Sequence, residues 1–195
     1  MTSSQDRATP QDRESPKMVD MEQWCSIPTF SNYSVSNFGR VRNEETGRNM
    51  ALLRNQHGLV NVGLTRNRVQ YKRCVARLVA QAFLPAPPED SFDTPINLDG
   101  DRTNNRAENL LWRPRWFAVK YFDQFDEPIR MGSFDTPIEE INSGEIFANS
   151  WDAAIRYGLL ESEIFLAMLN RTYVWPTYQQ FRVIPDQTEN RYQVA

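Results

Sequence analysis

The chain has little of what most metal and redox sites require. Its 195 residues include one histidine, His57, and two cysteines, Cys25 and Cys74, which lie far apart with no CxxC partner. Neither a zinc site nor a disulfide framework is encoded, and the thiols read as buried side chains. Long apolar runs are also missing. No stretch approaches the roughly 18 residues of a membrane span, and the opening MTSSQDRATPQDRESPK lacks the apolar centre of a secretory signal. The expectation is therefore no membrane partner and a cytoplasmic setting, which for a viral protein means host cytoplasm or virion. Positive charge is not in excess either. The net charge of -3 at first argues against nucleic acid, because phosphates draw clustered Lys and Arg. What the chain does have is a 40% hydrophobic fraction, enough for the core of one domain or two small ones.

The average charge hides a polarity. Residues 31–83 hold Arg40, Arg42, Arg48, Arg54, Arg66, Arg68, Lys72, Arg73 and Arg77 against Glu44 and Glu45, whereas residues 117–195 hold six basic side chains against twelve acidic ones. Such asymmetry suggests one half that faces phosphate and one that does not. The alternative is a solvated basic face without a ligand.

Residues 1–20 are polar and aperiodic and read as a disordered or partner-wrapped arm. Aromatic and β-branched residues broken by polar turns predict short strands over 24–42. Two β-rich runs, 59–64 and 69–75, are joined by Thr65, Arg66, Asn67 and Arg68 as a hairpin with cations at its tip. Val75, Leu78, Val79, Ala82 and Phe83 then form a helical stripe that Pro85, Pro87 and Pro88 stop. Asp99-Gly100 is a turn signal, and a short helix is expected over 104–112. Farther on come a hairpin (138–141 with 145–147), a helix over 151–157 started by Ser150, a second over 161–169 after Gly158, and a strand over 180–184. The fold class is α+β. The expected organisation is an arm (1–20), a β-rich domain (21–118) and an acidic C-terminal α/β region (119–195).

Three motifs carry a resemblance. Residues 33–42, Y-S-V-S-N-F-G-R-V-R, resemble the nuclease-associated modular domain that precedes many HNH homing endonuclease motifs. Residues 75–85, V-A-R-L-V-A-Q-A-F-L-P, are similar to the helix that follows in that family, with Ala76 where the family usually has His. Residues 95–112, P-I-N-L-D-G-D-R-T-N-N-R-A-E-N-L-L-W, resemble the HNH motif itself. The resemblance covers about residues 24–112 and implies a ββα, His-Me finger-like unit behind a small β-rich module. More loosely, residues 137–183 look like the helix-turn-helix module that often follows such nucleases, through Ser150, Ala153, Ala154, Gly158, Ile164, Phe181 and Arg182. Glu161 and Glu163 suit a DNA-reading helix badly, and an α/β cap packed on the core is the alternative.

An HNH centre needs a divalent ion to stabilise charge on the leaving oxygen and an imidazole to take a proton from water. Carried over from the family, the base position is Asn97, whose amide is not basic. The metal-ligand positions are Ile96 and Ala118, which have no donor atom. Only the bracing Asn survives, as Asn109, which the resemblance places on a helix. The sequence therefore implies a degenerate centre without a cofactor. Mg²⁺ enters only on a second reading, in which Asp99 or Asp101 binds metal and His57 serves as base. Asp99 is explained more economically as a turn residue.

The expected function is binding of DNA, with structured RNA as the alternative nucleic acid, by a protein of HNH ancestry. The expected phosphate contacts are Arg40, Arg42, Arg66, Arg68, Lys72, Arg73, Arg106, Arg113 and Arg115. Leu110, Leu111, Trp112 and Trp116 are expected in the core. A third reading makes the chain an adaptor in a viral or ribonucleoprotein assembly, with the arm and acidic half meeting a protein partner.

Overall fold

The computed structural model describes residues 21–126 and 132–185; the expected N-terminal arm lies outside them. Short strands separated by Gly, Asn and Pro turns build the first half. Strands β1 (Trp24–Ile27), β2 (Phe30–Ser36) and β3 (Val41–Asn43) form an antiparallel sheet in that order. Val35 pairs with Val41 across it, and both are buried. The β2–β3 turn uses Gly39 at φ +81°, where a Cβ would stand 3.0 Å from the Asn105 carbonyl oxygen. Glycine thus permits both the left-handed backbone and the close approach of this sheet to the 99–109 loop.

A second antiparallel sheet follows, β4 (Leu52–Arg54), β5 (Val60–Arg66) and β6 (Val69–Cys74). Its β5–β6 turn is tighter than the sequence predicts. Arg66 already pairs with Val69, and only Asn67 and Arg68 remain outside the strands, at φ 52° and 63°. Two left-handed residues match the twist of the flanking strands.

Helix α1 (Val75–Phe83) starts where β6 ends and buries Val75, Ala76, Leu78, Val79 and Ala80 against both sheets. Of the predicted stripe, Ala82 and Phe83 are only partly buried. The next unit is a hairpin of β7 (Thr94–Asn97) and β8 (Leu110–Arg113), followed by α2 (Arg115–Asp126). The helix expected over 104–112 is not formed. Its place is taken by one 3-10 turn, Ala107–Asn109, and then by β8. Asp and Asn side chains capture the loop's backbone donors, the usual competitor of helix, and Leu110 and Trp112 alternate into the core with the period of a strand. The helix of the ββα unit is instead α2, which buries Phe117, Ala118 and Tyr121. It runs through residue 118, where the sequence suggests a domain boundary.

In the C-terminal half, β9 (Ile138–Glu140), β10 (Ile146–Phe147) and β11 (Phe181–Val183) form a sheet of order β10-β9-β11. Against it pack α3 (Ser150–Tyr157) and α4 (Glu161–Asn170), around Ile138, Ala153, Leu159 and Ile164. The cap of α3 is Asn149, whose Oδ1 accepts from the Asp152 N–H at 2.8 Å. Ser150, the predicted cap, is buried and donates its hydroxyl to Glu161 Oε1 at 2.7 Å.

The two halves share a core. Leu160 packs with Ile96, Phe117, Ala118 and Tyr121, and Gly158 sits where a Cβ would meet Leu98 and Leu111 at 3.0 Å. Among the described residues no helix is long and apolar enough to cross a membrane.

Candidate functional site

The loop between β7 and β8 is a closed polar network. Asp99 Oδ1 accepts from the Asp101 N–H (2.9 Å) and from Asn109 Nδ2 (2.9 Å), and its Oδ2 accepts from Asn104 Nδ2 (2.6 Å). Asn109 also accepts the Asp99 N–H at its Oδ1 (3.1 Å) and donates to the Asn104 carbonyl (2.9 Å). It braces the loop as the resemblance implies, but from the 3-10 turn. Asp101 Oδ1 accepts from both the hydroxyl (2.7 Å) and the N–H (2.8 Å) of Thr103. Those bonds, the hydroxyl's first, hold the Asp101 carboxyl below the usual carboxylate range.

The three positions that would carry HNH chemistry point inward. Ile96 is 0% exposed, Asn97 2% and Ala118 4%. Ile96 and Ala118 belong to one apolar cluster. The Asn97 amide donates to the Asn104 carbonyl (2.8 Å) and to Asn105 Oδ1 (3.3 Å). A hard divalent ion needs several oxygen donors converging at short range. Here two of the positions carry alkyl groups, the third has an amide donating to the loop, and both Asp99 oxygens already accept internal bonds. The residues at the family positions do not fit an ion. Among the described residues no group of three or more His, Cys, Asp and Glu side chains is placed to hold one.

His57 does come near this loop. It lines a cleft of about 450 Å³ with Arg54, Asp101, Arg102, Phe122 and Asp126. Arg102 donates to the His57 carbonyl at 2.9 Å and lies 4.1 Å over the Phe122 ring. Sequence reasoning missed Arg54 and Arg102 as members of this cluster, since only the fold joins positions 45 residues apart.

The nine candidate phosphate contacts separate into groups. Arg66, Arg68 and Lys72 are exposed along the β5–β6 hairpin and have no ion pair among the described residues. On the Lys72 face, register places Asn61, Thr65 and Gln70 in neighbouring positions, a polar surface signalled in the sequence by alternation with Val62 and Leu64. Arg40 pairs with Glu22, Arg42 with Glu44 at 3.0 Å, and Arg106 with Glu108 at 2.7 Å. Arg42 and Arg106 also cover aromatic rings, Trp24 at 4.4 Å and Phe38 at 4.0 Å. Arg73 is half-buried over Phe30 and Tyr71, and Arg115 is exposed at the start of α2.

Arg113 is a correction. It is buried, and it donates to the carbonyls of Trp112 (2.9 Å), Tyr157 (2.7 Å) and Gly158 (3.1 Å), which leaves it unable to reach a phosphate. Burial draws its guanidinium down to about 10. Trp116, expected in the core, is 55% exposed and stacks on Trp175 at 5.1 Å. Cys25 and Cys74, expected to be buried, are half-buried free thiols.

Comparison with known proteins bears out the resemblance to HNH endonucleases. Residues 22–65 match the NUMOD4 motif family. Two uncharacterized HNH endonucleases of Acanthamoeba polyphaga mimivirus are similar. One is 32% identical over 90 residues, 46% of this chain and 26% of that protein; the other is 34% identical over 94 residues, 47% and 23%. The chain thus spans about a quarter of the length of the curated relatives it matches. Among solved structures, one described as DNA binding and cleavage by the HNH homing endonuclease I-HmuI aligns with a TM-score of 0.48 and 18% identity, covering 84% of this chain and 99% of that one.

Proposed function

We propose that the protein binds DNA through the basic β5–β6 hairpin and the neighbouring β-rich module, and that it does not cleave it. One observation carries the second clause: the base and metal-ligand positions, Asn97, Ile96 and Ala118, are buried and hold an amide and two alkyl groups. Without a base or ligands, the electrostatic stabilisation on which phosphodiester cleavage depends has no source there. The first clause draws on the exposed Arg66, Arg68 and Lys72, without an ion pair among the described residues, with Asn61, Thr65 and Gln70 supplying side chains for base edges. The paired α3 and α4 form a helix-turn-helix-like element that packs rather than reads. The outward positions of α4 include Glu163, Leu166 and Leu169, and none of these attracts phosphate. Structured RNA, or a protein partner on the acidic half, would follow from the same separation of charge.

Duplex binding should weaken steeply with salt, with a log–log slope of about −0.9 for each phosphate neutralised. Replacing Arg68 and Lys72 by Ala should flatten that slope by about two contacts' worth. No measurable affinity at low salt, or an unchanged slope, defeats this reading.

A second reading, cleavage from a relocated centre, rests on His57 and Asp101 lining one cleft. It predicts nicking of supercoiled plasmid with Mg²⁺ or Mn²⁺ that His57→Ala abolishes. Intact plasmid under both metals excludes it.

A further inference from the structure

Between β1–β2 and α1 lies a cavity of about 770 Å³ whose lining among the described residues contains no carboxylate. Arg73, at the end of β6, and Arg77, in the first turn of α1, both line its wall, and neither has an acidic partner among the described residues. Arg73 is fixed over Phe30 at 5.2 Å and spends one donor on the Lys72 carbonyl at 3.0 Å, so most of its fork remains unspent. Arg77 is exposed. Two free guanidiniums without a competing carboxylate select an oxyanion, and their planar forks suit a phosphate. Behind them the wall turns apolar at Ile27, Pro28 and Leu78, while Ser26, Thr29 and Gln81 add hydrogen-bonding groups. A bare phosphate would leave that wall uncovered. The volume lies in the range of sites that enclose a small organic ligand.

We propose that this cavity binds a single nucleotide, its phosphate between Arg73 and Arg77 and its base along the Ile27–Leu78 wall within reach of Gln81. The nucleotide is either free or the unpaired end of a strand. The site takes Arg73 and Cys74 from the end of β6 but none of Arg66, Arg68 and Lys72, so substitutions at those three test duplex binding without removing any of its lining.

The chain's only two cysteines, Cys25 and Cys74, line this cavity and are half-buried free thiols, so thiol alkylation of the whole protein reports on its occupancy. The experiment follows iodoacetamide labelling of each cysteine by mass spectrometry. Labelling is measured with deoxyadenosine monophosphate, with inorganic phosphate, with a blunt duplex, and with a duplex carrying one unpaired nucleotide. Saturable slowing at both cysteines is expected with the mononucleotide or the overhang. Whichever of the two protects identifies the source. Arg77→Ala, at an exposed position whose loss leaves the fold intact, should raise the half-protecting concentration about 10-fold or more. Arg77→Lys should recover part of the loss. The proposal is overturned by absence of protection at millimolar nucleotide and overhang, by equal protection from inorganic phosphate alone, or by an Arg77→Ala protein that is protected as well as the parent. Duplex affinity measured alongside separates the two readings: hairpin variants should lose it while keeping thiol protection by the nucleotide.

Discussion

Replacing Arg113 by Ala tests whether this cation is structural or faces phosphate. On β8 it reaches across to the end of α3, where the Tyr157 and Gly158 carbonyls accept from it at 2.7 and 3.1 Å. Gly158 ends that helix in the left-handed conformation at φ 59°. The last carbonyls of a helix lack intrahelical partners and carry the negative end of its dipole, so a buried guanidinium there supplies donors and matching charge together. Truncation removes three bonds and leaves at least two buried carbonyls without a donor, at about 1–3 kcal/mol each. The burial that draws the Arg113 pKa down to about 10 acts the other way, because desolvating the cation costs free energy that the variant no longer spends. The balance should be a loss of about 2–5 kcal/mol, borne mainly by the contact of the C-terminal half with β7, β8 and α2. Urea unfolding gives the total, and hydrogen exchange should show α3 and α4 opening before α1. Arg113→Lys keeps the charge without the fork and should fall between parent and Ala. A variant less than about 1 kcal/mol less stable that binds DNA with a flatter salt slope would refute this reasoning and return Arg113 to the phosphate contacts.

Three further outcomes concern the 99–109 loop. Asn109→Ala strips the Asp99 N–H of its partner and leaves the Asn104 carbonyl with the Asn97 amide as its remaining donor, and should cost about 1–3 kcal/mol in urea unfolding; full stability would show that water replaces the side chain. Gly100→Ala adds about 1–2 kcal/mol of left-handed strain at φ +76° and a Cβ 2.5 Å from the Phe125 ring, so the melting temperature should fall, and an unchanged value would mean that Phe125 moves freely. Thr103→Val removes the foremost bond holding the Asp101 pKa down. A depressed carboxyl pKa stabilises above the unfolded-state value, with that contribution lost as pH falls through the folded-state value. The variant's Asp101 carboxyl signal should therefore titrate at higher pH than the parent's by NMR; coincident curves would contradict the assignment.

Much of the fold was legible in short-range signals. β-rich runs placed β5 and β6, the apolar stripe placed α1, and Ser150 and Gly158 marked the bounds of α3 and α4. The misreadings have two causes. The run from Asn104 to Trp112 reads as a capped helix, yet its Asn side chains bond to the loop backbone and to Asp99, and the apolar residues then fall on a strand. Trp116 and Arg113 were read by residue type, a large aromatic inward and a cation outward. Tertiary contacts reversed both, since Trp175 arrives over Trp116 and the end of α3 arrives over Arg113.

The site was legible in its substitutions but not in their surroundings. That Asn97 cannot act as a base is evident from an amide's chemistry. That its amide has become a donor to the Asn104 carbonyl, and so part of what holds the loop closed, appears only in three dimensions. The consequence bears on the proposed loss of cleavage. Ile96 and Ala118 pack in the same apolar cluster as Leu160 from the C-terminal half, so a carboxylate or amide introduced at either position would be buried at the junction of the two halves. Unpaired polar burial there costs about 1–3 kcal/mol or more. A histidine at 97 would also give up the bonds of the Asn97 amide. Restoring the family's chemistry would thus have to overcome the packing that joins the halves of this protein, whereas binding through the exposed hairpin makes no such demand.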